Sequence, residues 1–156
     1  MSLHRLTAIT IGVPDVEATA AYYTEFGLTP LGDNAFATSD GGEQFRLTYS
    51  AQRRLVEIGV GVDDADDLDR VQHQLDALDL AAQRSGDSVT AVEPIAGFTA
   101  VVSIAPRIEQ KIVDPTPYNG PGRIDRPDTR APGIERHGQV APHKLGHVVI
   151  GSTDQV

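Results

Sequence analysis

Two stretches of the chain alternate strictly, residue by residue, and each runs straight into acidic residues fit to open a helix. In Thr7–Val13, the side chains of Ile9, Ile11 and Val13 fall on one face and Ala8, Thr10 and Gly12 on the other. In Leu55–Val62, Val56, Ile58, Val60 and Val62 oppose Glu57, Gly59 and Gly61. A period of two marks a β-strand with one apolar face for a core; here the second face is built largely of small residues.

Each strand leads into a helix. Pro14 ends the first strand, Asp15 suits an N-cap, and Glu17 complements the positive end of the helix dipole. Val16, Ala20, Tyr23 and Phe26 are spaced along one helical face, and Gly27 is a natural stop. After the second strand, Asp63, Asp64, Asp66 and Asp67 crowd a helix start, and Leu68, Val71, Leu75 and Leu78 form the predicted buried stripe. Between the helices lie a weak strand candidate at Asn34–Thr38 and a clearer one in which Phe45, Leu47 and Tyr49 alternate with Gln44, Arg46 and Thr48. Asp40-Gly41-Gly42 is the turn expected between them. A last strand is predicted over Phe98–Ile104, closed by Pro106. The order is strand, helix, strands, and then the same again.

The chain has 156 residues, enough for one domain with a core. A formal net charge of −9 disfavours a phosphate backbone as partner, so nucleic acid is not expected. The absence of cysteine excludes disulfides, thiolate metal sites and a cysteine nucleophile. Apolar runs are strand-sized, short of a membrane span, and no apolar leader opens the sequence; a cytoplasmic protein is expected.

From Lys111 the character changes: Pro115, Pro117, Pro121, Pro127, Pro132 and Pro142 alternate with Gly, Asp and Arg, as in a long connector. Beyond it an early phrase returns. Set without gaps against His4–Asp15, the stretch His143–Asp154 keeps His, Leu, Ile, Gly and Asp in place and exchanges Arg5 for Lys144. Repeated phrases mark repeated structural units. A lone strand cannot satisfy its own backbone groups, so residues 144–151 are expected to pair with the first domain, a second copy or a further part of the protein.

The run Ala8-Ile9-Thr10-Ile11-Gly12-Val13-Pro14-Asp15, the helix with Ala21-Tyr22-Tyr23 ending in Phe26-Gly27-Leu28, and the later Val60-Gly61-Val62-Asp63-Asp64 resemble the vicinal-oxygen-chelate superfamily of glyoxalase I, antibiotic-sequestering proteins and extradiol dioxygenases. The resemblance implies an α+β fold in which paired strand-helix-strand-strand-strand modules form a cupped mixed sheet. The sharper match is Lys144-Leu145-Gly146-His147-Val148-Val149, similar to the phrase that opens the catalytic domain of two-domain extradiol dioxygenases. It implies a non-catalytic first domain at 1–110, a linker at 111–143 and the first strand of a second domain at 144–156, stopping before its helix.

On that resemblance His147 is the first ligand of Fe(II), with Mn or another divalent metal as the alternative; a second histidine and a glutamate would come from later strands. The substrates implied are an aromatic diol and O2, with a homo-oligomer as the working form and this segment inactive alone. Ala8 stands where His147 stands in the second copy and cannot bind metal. Glu57 and Glu109 fall near ligand positions of metal-binding relatives, against which ordinary solvated glutamates are the plainer reading. His73 is expected to face solvent, and His4, His137 and His143 to be surface histidines. Tyr23 is expected in the core. Gly59-Val60-Gly61 is no dinucleotide fingerprint, because Asp64 replaces the third glycine. Two other functions stay open: a binding module that sequesters a small molecule without chemistry, and a glyoxalase-like isomerase with a non-redox metal.

Overall fold

The computed structural model describes residues 3–109, 117–126, 128 and 141–151. The elements are β1 (Arg5–Val13), α1 (Val16–Phe26), β2 (Thr29–Gly32), β3 (Ala35–Thr38), β4 (Gly42–Tyr49), β5 (Arg54–Val62), α2 (Ala65–Ala77), β6 (Ala82–Ser85), β7 (Ser88–Val92), β8 (Thr99–Ile104), β9 (Asn119–Gly120) and β10 (Arg123–Ile124). The first eight strands form one sheet in the order β2-β3-β4-β1-β5-β8-β7-β6. β1 runs parallel to β4 and β5 parallel to β8, while the central β1–β5 pair is antiparallel. Each half is therefore a strand-helix-strand-strand-strand unit, and the two halves join along β1 and β5. This is the α+β mixed sheet predicted.

The helix ends follow the local chemistry foreseen. Asp15 Oδ1 accepts from the Ala18 amide at 2.9 Å, and Asp64 Oδ1 caps α2 through the Asp67 amide at 2.9 Å. Gly27 closes α1 at φ 111°, the left-handed conformation that glycine adopts without steric cost. α1 covers a cluster of Val13, Leu28, Phe36, Phe45 and Leu47, joined by Ile9, Ile11, Val16, Ala20 and Tyr23. α2 covers Val62, Leu68, Val71 and Val89, with Leu75, Ala82 and Val102. Ile9 pairs with Ile58, which shares its face with Val62, so both helices lie on the same side of the sheet.

Several expectations need correction. Leu78 is 68% exposed, because α2 ends at Ala77 and Leu80 turns back with its amide on the Leu75 carbonyl. Phe26 is 56% exposed and stacks on Tyr22 at the end of α1, whereas Tyr23 meets Phe45 in the core at a ring separation of 4.3 Å. Asn34 lies before β3 at φ 58°, in a turn. β2, β6 and β7 were not foreseen. Within the connector, residues 117–126 hold the short β9–β10 hairpin, with Arg123 4.5 Å above the Tyr118 ring.

Residues 141–151, which include the stretch expected to open a second unit, join no ladder with the described strands. The segment does meet the β3–β4 turn, by other bonds described below.

Candidate functional site

With both helices on one side, the other face of the sheet is left open. The registers place Ala35, Arg46, Thr10, Glu57, Thr99 and Val92 in one row across it, and Gly59, Val101, Thr90 and Gln83 in the next. Small and polar residues make a shallow floor there, as the Ala8, Thr10, Gly12 alternation predicts. Glu57 is exposed on this floor, opposite Thr10, and has no ion-pair partner among the described residues. Arg46, on the other side of Thr10, is engaged by Glu43 Oε1 and the Asp33 carbonyl.

The β1–β5 seam is irregular where it meets this floor. Pairing shifts between Leu6 and Ile9 and again between Thr10 and Ile11. The first shift brings Thr7 Oγ1 over Gly59, where a Cβ would lie only 2.2 Å from it. Ala8, the counterpart of His147 in the earlier copy of the phrase, sits in this bulge.

The later copy of the phrase lies against the β3–β4 turn. The Ser39 amide donates to the Pro142 carbonyl at 3.0 Å and the Asp40 amide to the His143 carbonyl at 2.9 Å. Asp40 Oδ2 lies 2.8 Å from His143 Nδ1. The Leu145 amide donates to Gln44 Oε1 at 2.7 Å. From there the segment shares a cavity of about 300 Å³ with His4, Arg5, Leu6 and Arg107. Val148–Gly151 then border another, of about 370 Å³, with Ile11, Leu55 and Phe98. The segment thus follows β1 from its Leu6 end to its Ile11 end.

His147 is exposed on this segment. Glu109 is exposed beyond β8, and His73 is exposed on α2. Among the described residues no three His, Asp or Glu side chains converge on a point that could hold a metal, so the structure does not bring His147, Glu57 and Glu109 together. His143 is exposed, as expected, though tied to Asp40. His137 lies outside the described residues. His4 departs from expectation: its side chain is 2% exposed, packed beside Gly61, with Nε2 3.7 Å from Asp63 Oδ1. Asp63 is also bound by the Arg107 guanidinium through Nε and Nη2, and these hydrogen bonds, with the charge attraction, hold the Arg107 pKa above its ordinary value. The aspartates ahead of α2 therefore serve as a cap and as an anchor for the chain leaving β8.

The residue that sequence reading passed over is Gln44. Its neighbours alternate as a half-buried strand should, so it reads as a polar outward residue. Yet Gln44 and Phe45 are both buried in succession, because Phe36 pairs with Phe45 while Ala37 pairs with Glu43 and leaves Gln44 as the extra residue of a bulge. The one available signal was the Gly41-Gly42 pair before it.

No family model matches the chain, and no curated protein matches it. Solved structures do. BphC, a halotolerant catechol dioxygenase, superposes with a TM-score of 0.58 at 12% identity over 68% of this chain and 41% of that one. The Mn(II)-bound glyoxalase from Novosphingobium aromaticivorans gives 0.57 at 19% identity over 71% and 42%. A variant of homoprotocatechuate 2,3-dioxygenase from Brevibacterium fuscum gives 0.56 at 14% identity over 70% and 34%. The chain therefore spans well under half the length of these proteins. The fold they share with it is the vicinal-oxygen-chelate fold. No helix among the described residues is long and apolar enough to cross a membrane.

Proposed function

We propose that residues 1–110 are the structural, metal-free first domain of a cytoplasmic extradiol-type dioxygenase. Residues 111–143 would then be its linker, and residues 144–156 the start of the metal-binding domain. The observation that carries this reading is the pairing of Ala8 with His147 at the same place in two copies of one phrase, on a fold also found in catechol-cleaving enzymes.

His147 suits a ligand role by its chemistry: it is exposed, and an imidazole ring nitrogen can give its lone pair to a metal. Two histidines and one carboxylate on one face are the usual holder of non-haem Fe(II), which orients a diol and O2 together for ring opening. On this reading His147 is one ligand of three, the others coming from later strands, and the chain by itself is expected to be inactive. Within the first domain, the open floor around Thr10 and Glu57 gives the assembly a second, metal-free cup.

That cup supports one other reading, a binding module without chemistry, because Ala8 removes the ligand and Glu57 offers a lone carboxylate. The test is oxygen uptake with catechols by the complete gene product loaded with Fe(II). Uptake that disappears with His147→Ala supports the dioxygenase. Turnover of another substrate with Mn(II) and no oxygen uptake supports a glyoxalase-like isomerase. Stoichiometric binding of a small aromatic molecule with neither supports the module. Light scattering on the same sample checks the homo-oligomer expected of the enzyme.

A further inference from the structure

Gln44 is wholly buried, and its amide bonds three separate pieces of the chain. Nε2 donates to the Leu6 carbonyl of β1 at 2.9 Å. Oε1 accepts from Thr38 Oγ1 of β3 at 2.9 Å and from the Leu145 amide at 2.7 Å, which occupies both its lone pairs. The turn is shaped around this group. A Cβ on Gly41 would lie 2.1 Å from Gln44 Oε1 and 2.6 Å from Thr38 Oγ1, so only glycine leaves room for the amide. The Gly41 amide in turn donates to Thr38 Oγ1 at 3.1 Å, fixing which way that hydroxyl points. The Ser39 and Asp40 amides, on the same turn, take the carbonyls of Pro142 and His143.

We propose that the β3–β4 turn is a dock for residues 142–145, and that Gln44 is the positioning residue that sets the register of the segment carrying His147. This rests on the reading of His147 as a ligand. The geometric reason is short reach. His147 follows Leu145 by two residues, so its Cα stays within about 7 Å of the pinned one. A slip of one residue would present a different backbone group to Gln44 Oε1 and move His147 along the chain by up to about 3.5 Å. One buried acceptor that recognises the Leu145 amide, and not its neighbours, therefore fixes where His147 lies on a segment that has no ladder to do so.

The test uses two variants and two readouts. Gln44→Met keeps length and burial but removes the acceptor, together with the donor to the Leu6 carbonyl; Leu145→Pro removes the Leu145 donor and leaves every bond of Gln44 to Leu6 and Thr38 in place. In hydrogen exchange on this chain, the Ser39, Asp40 and Leu145 amides are expected to be protected, and Ser39 and Asp40 to exchange at least tenfold faster in either variant while β1 and β5 keep their protection. Unprotected Leu145 in the unmodified chain, or unchanged exchange at Ser39 and Asp40 in Leu145→Pro, overturns the dock. The second readout is Co(II) affinity of the complete protein, expected to weaken about tenfold in both variants. Unchanged affinity with a broken dock overturns the positioning role. Absence of Co(II) binding in the unmodified complete protein removes both the ligand reading and the positioning role, while the exchange data still decide whether the dock exists.

Discussion

The seam between β1 and β5 should not tolerate even one added methyl group at Gly59. Gly59 is buried on β5 under the bulge in β1, and a Cβ there would lie 2.2 Å from Thr7 Oγ1 and 3.3 Å from the Ala8 backbone nitrogen. The first distance is well over ~1 Å short of ordinary contact. Thr7 is β-branched, so rotating its hydroxyl away brings its methyl toward the same place, and the backbone at Ala8 bars the other direction. Overpacking of this kind costs about 1–3 kcal/mol. The backbone of Gly59 is not left-handed, so alanine also stiffens the unfolded chain and returns about 0.4–1 kcal/mol. The net expectation for Gly59→Ala is a loss of about 1–2 kcal/mol, a fall in the urea midpoint of roughly 0.5–1 M at an ordinary slope. In a double-mutant cycle, Thr7→Ala should recover most of that loss, with a coupling above about 0.5 kcal/mol. A Gly59→Ala protein as stable as the parent, or strictly additive losses in the double variant, would refute the claim that the bulge contact sets this position.

Leu68→Ala empties the fully buried centre of the α2 cluster and should cost about 3 kcal/mol in denaturant unfolding, whereas Leu78→Ala should change stability by less than about 0.5 kcal/mol. Asp15→Ala removes the acceptor of the Ala18 amide and should cost about 1 kcal/mol in thermal or urea unfolding. Gly27→Ala places a side chain at φ 111° and should destabilise by about 1 kcal/mol or more, read in the same assay. Metal analysis of the complete protein should find the ion lost with His147→Ala and retained with Glu57→Gln and Glu109→Gln.

The two strand–helix starts were legible because each sums several agreeing local signals: alternation, a proline or aspartate at the strand end, a cap, and an apolar stripe. The strands that escaped, Thr29–Gly32, Ala82–Ser85 and Ser88–Val92, are four or five residues long. Two of them lie at the edges of the sheet, where one face and one hydrogen-bonding side are free and the sequence has little to satisfy. Val89 is the lone buried anchor of Ser88–Val92, and one buried valine makes no pattern. Leu78 failed for the opposite reason. Its spacing fits the helical stripe, but the helix has ended one residue before it, and periodicity does not see where a helix stops.

The candidate site was less legible because it is built from breaks in the alternation on which sequence reading depends. Face assignment by parity assumes that each residue on one strand meets one on the next. Around this site that fails three times: at Thr7 and Ala8 on β1, at Val56 on β5, where Ile11 meets Leu55, and at Gln44 on β4. Each extra residue changes which side chains turn inward beyond it. Gln44 is the clearest case, since an outward polar position on the pattern becomes a wholly buried amide in the fold. The expectation for His147 rests on a different signal, the repeat of a phrase, which is indifferent to bulges. A repeat points to an equivalent place, but not to the neighbours that place will have. On the proposed reading, Glu57 and Glu109 stand apart from His147 because they belong to the first unit and His147 to the second, whereas a metal needs ligands that converge within one.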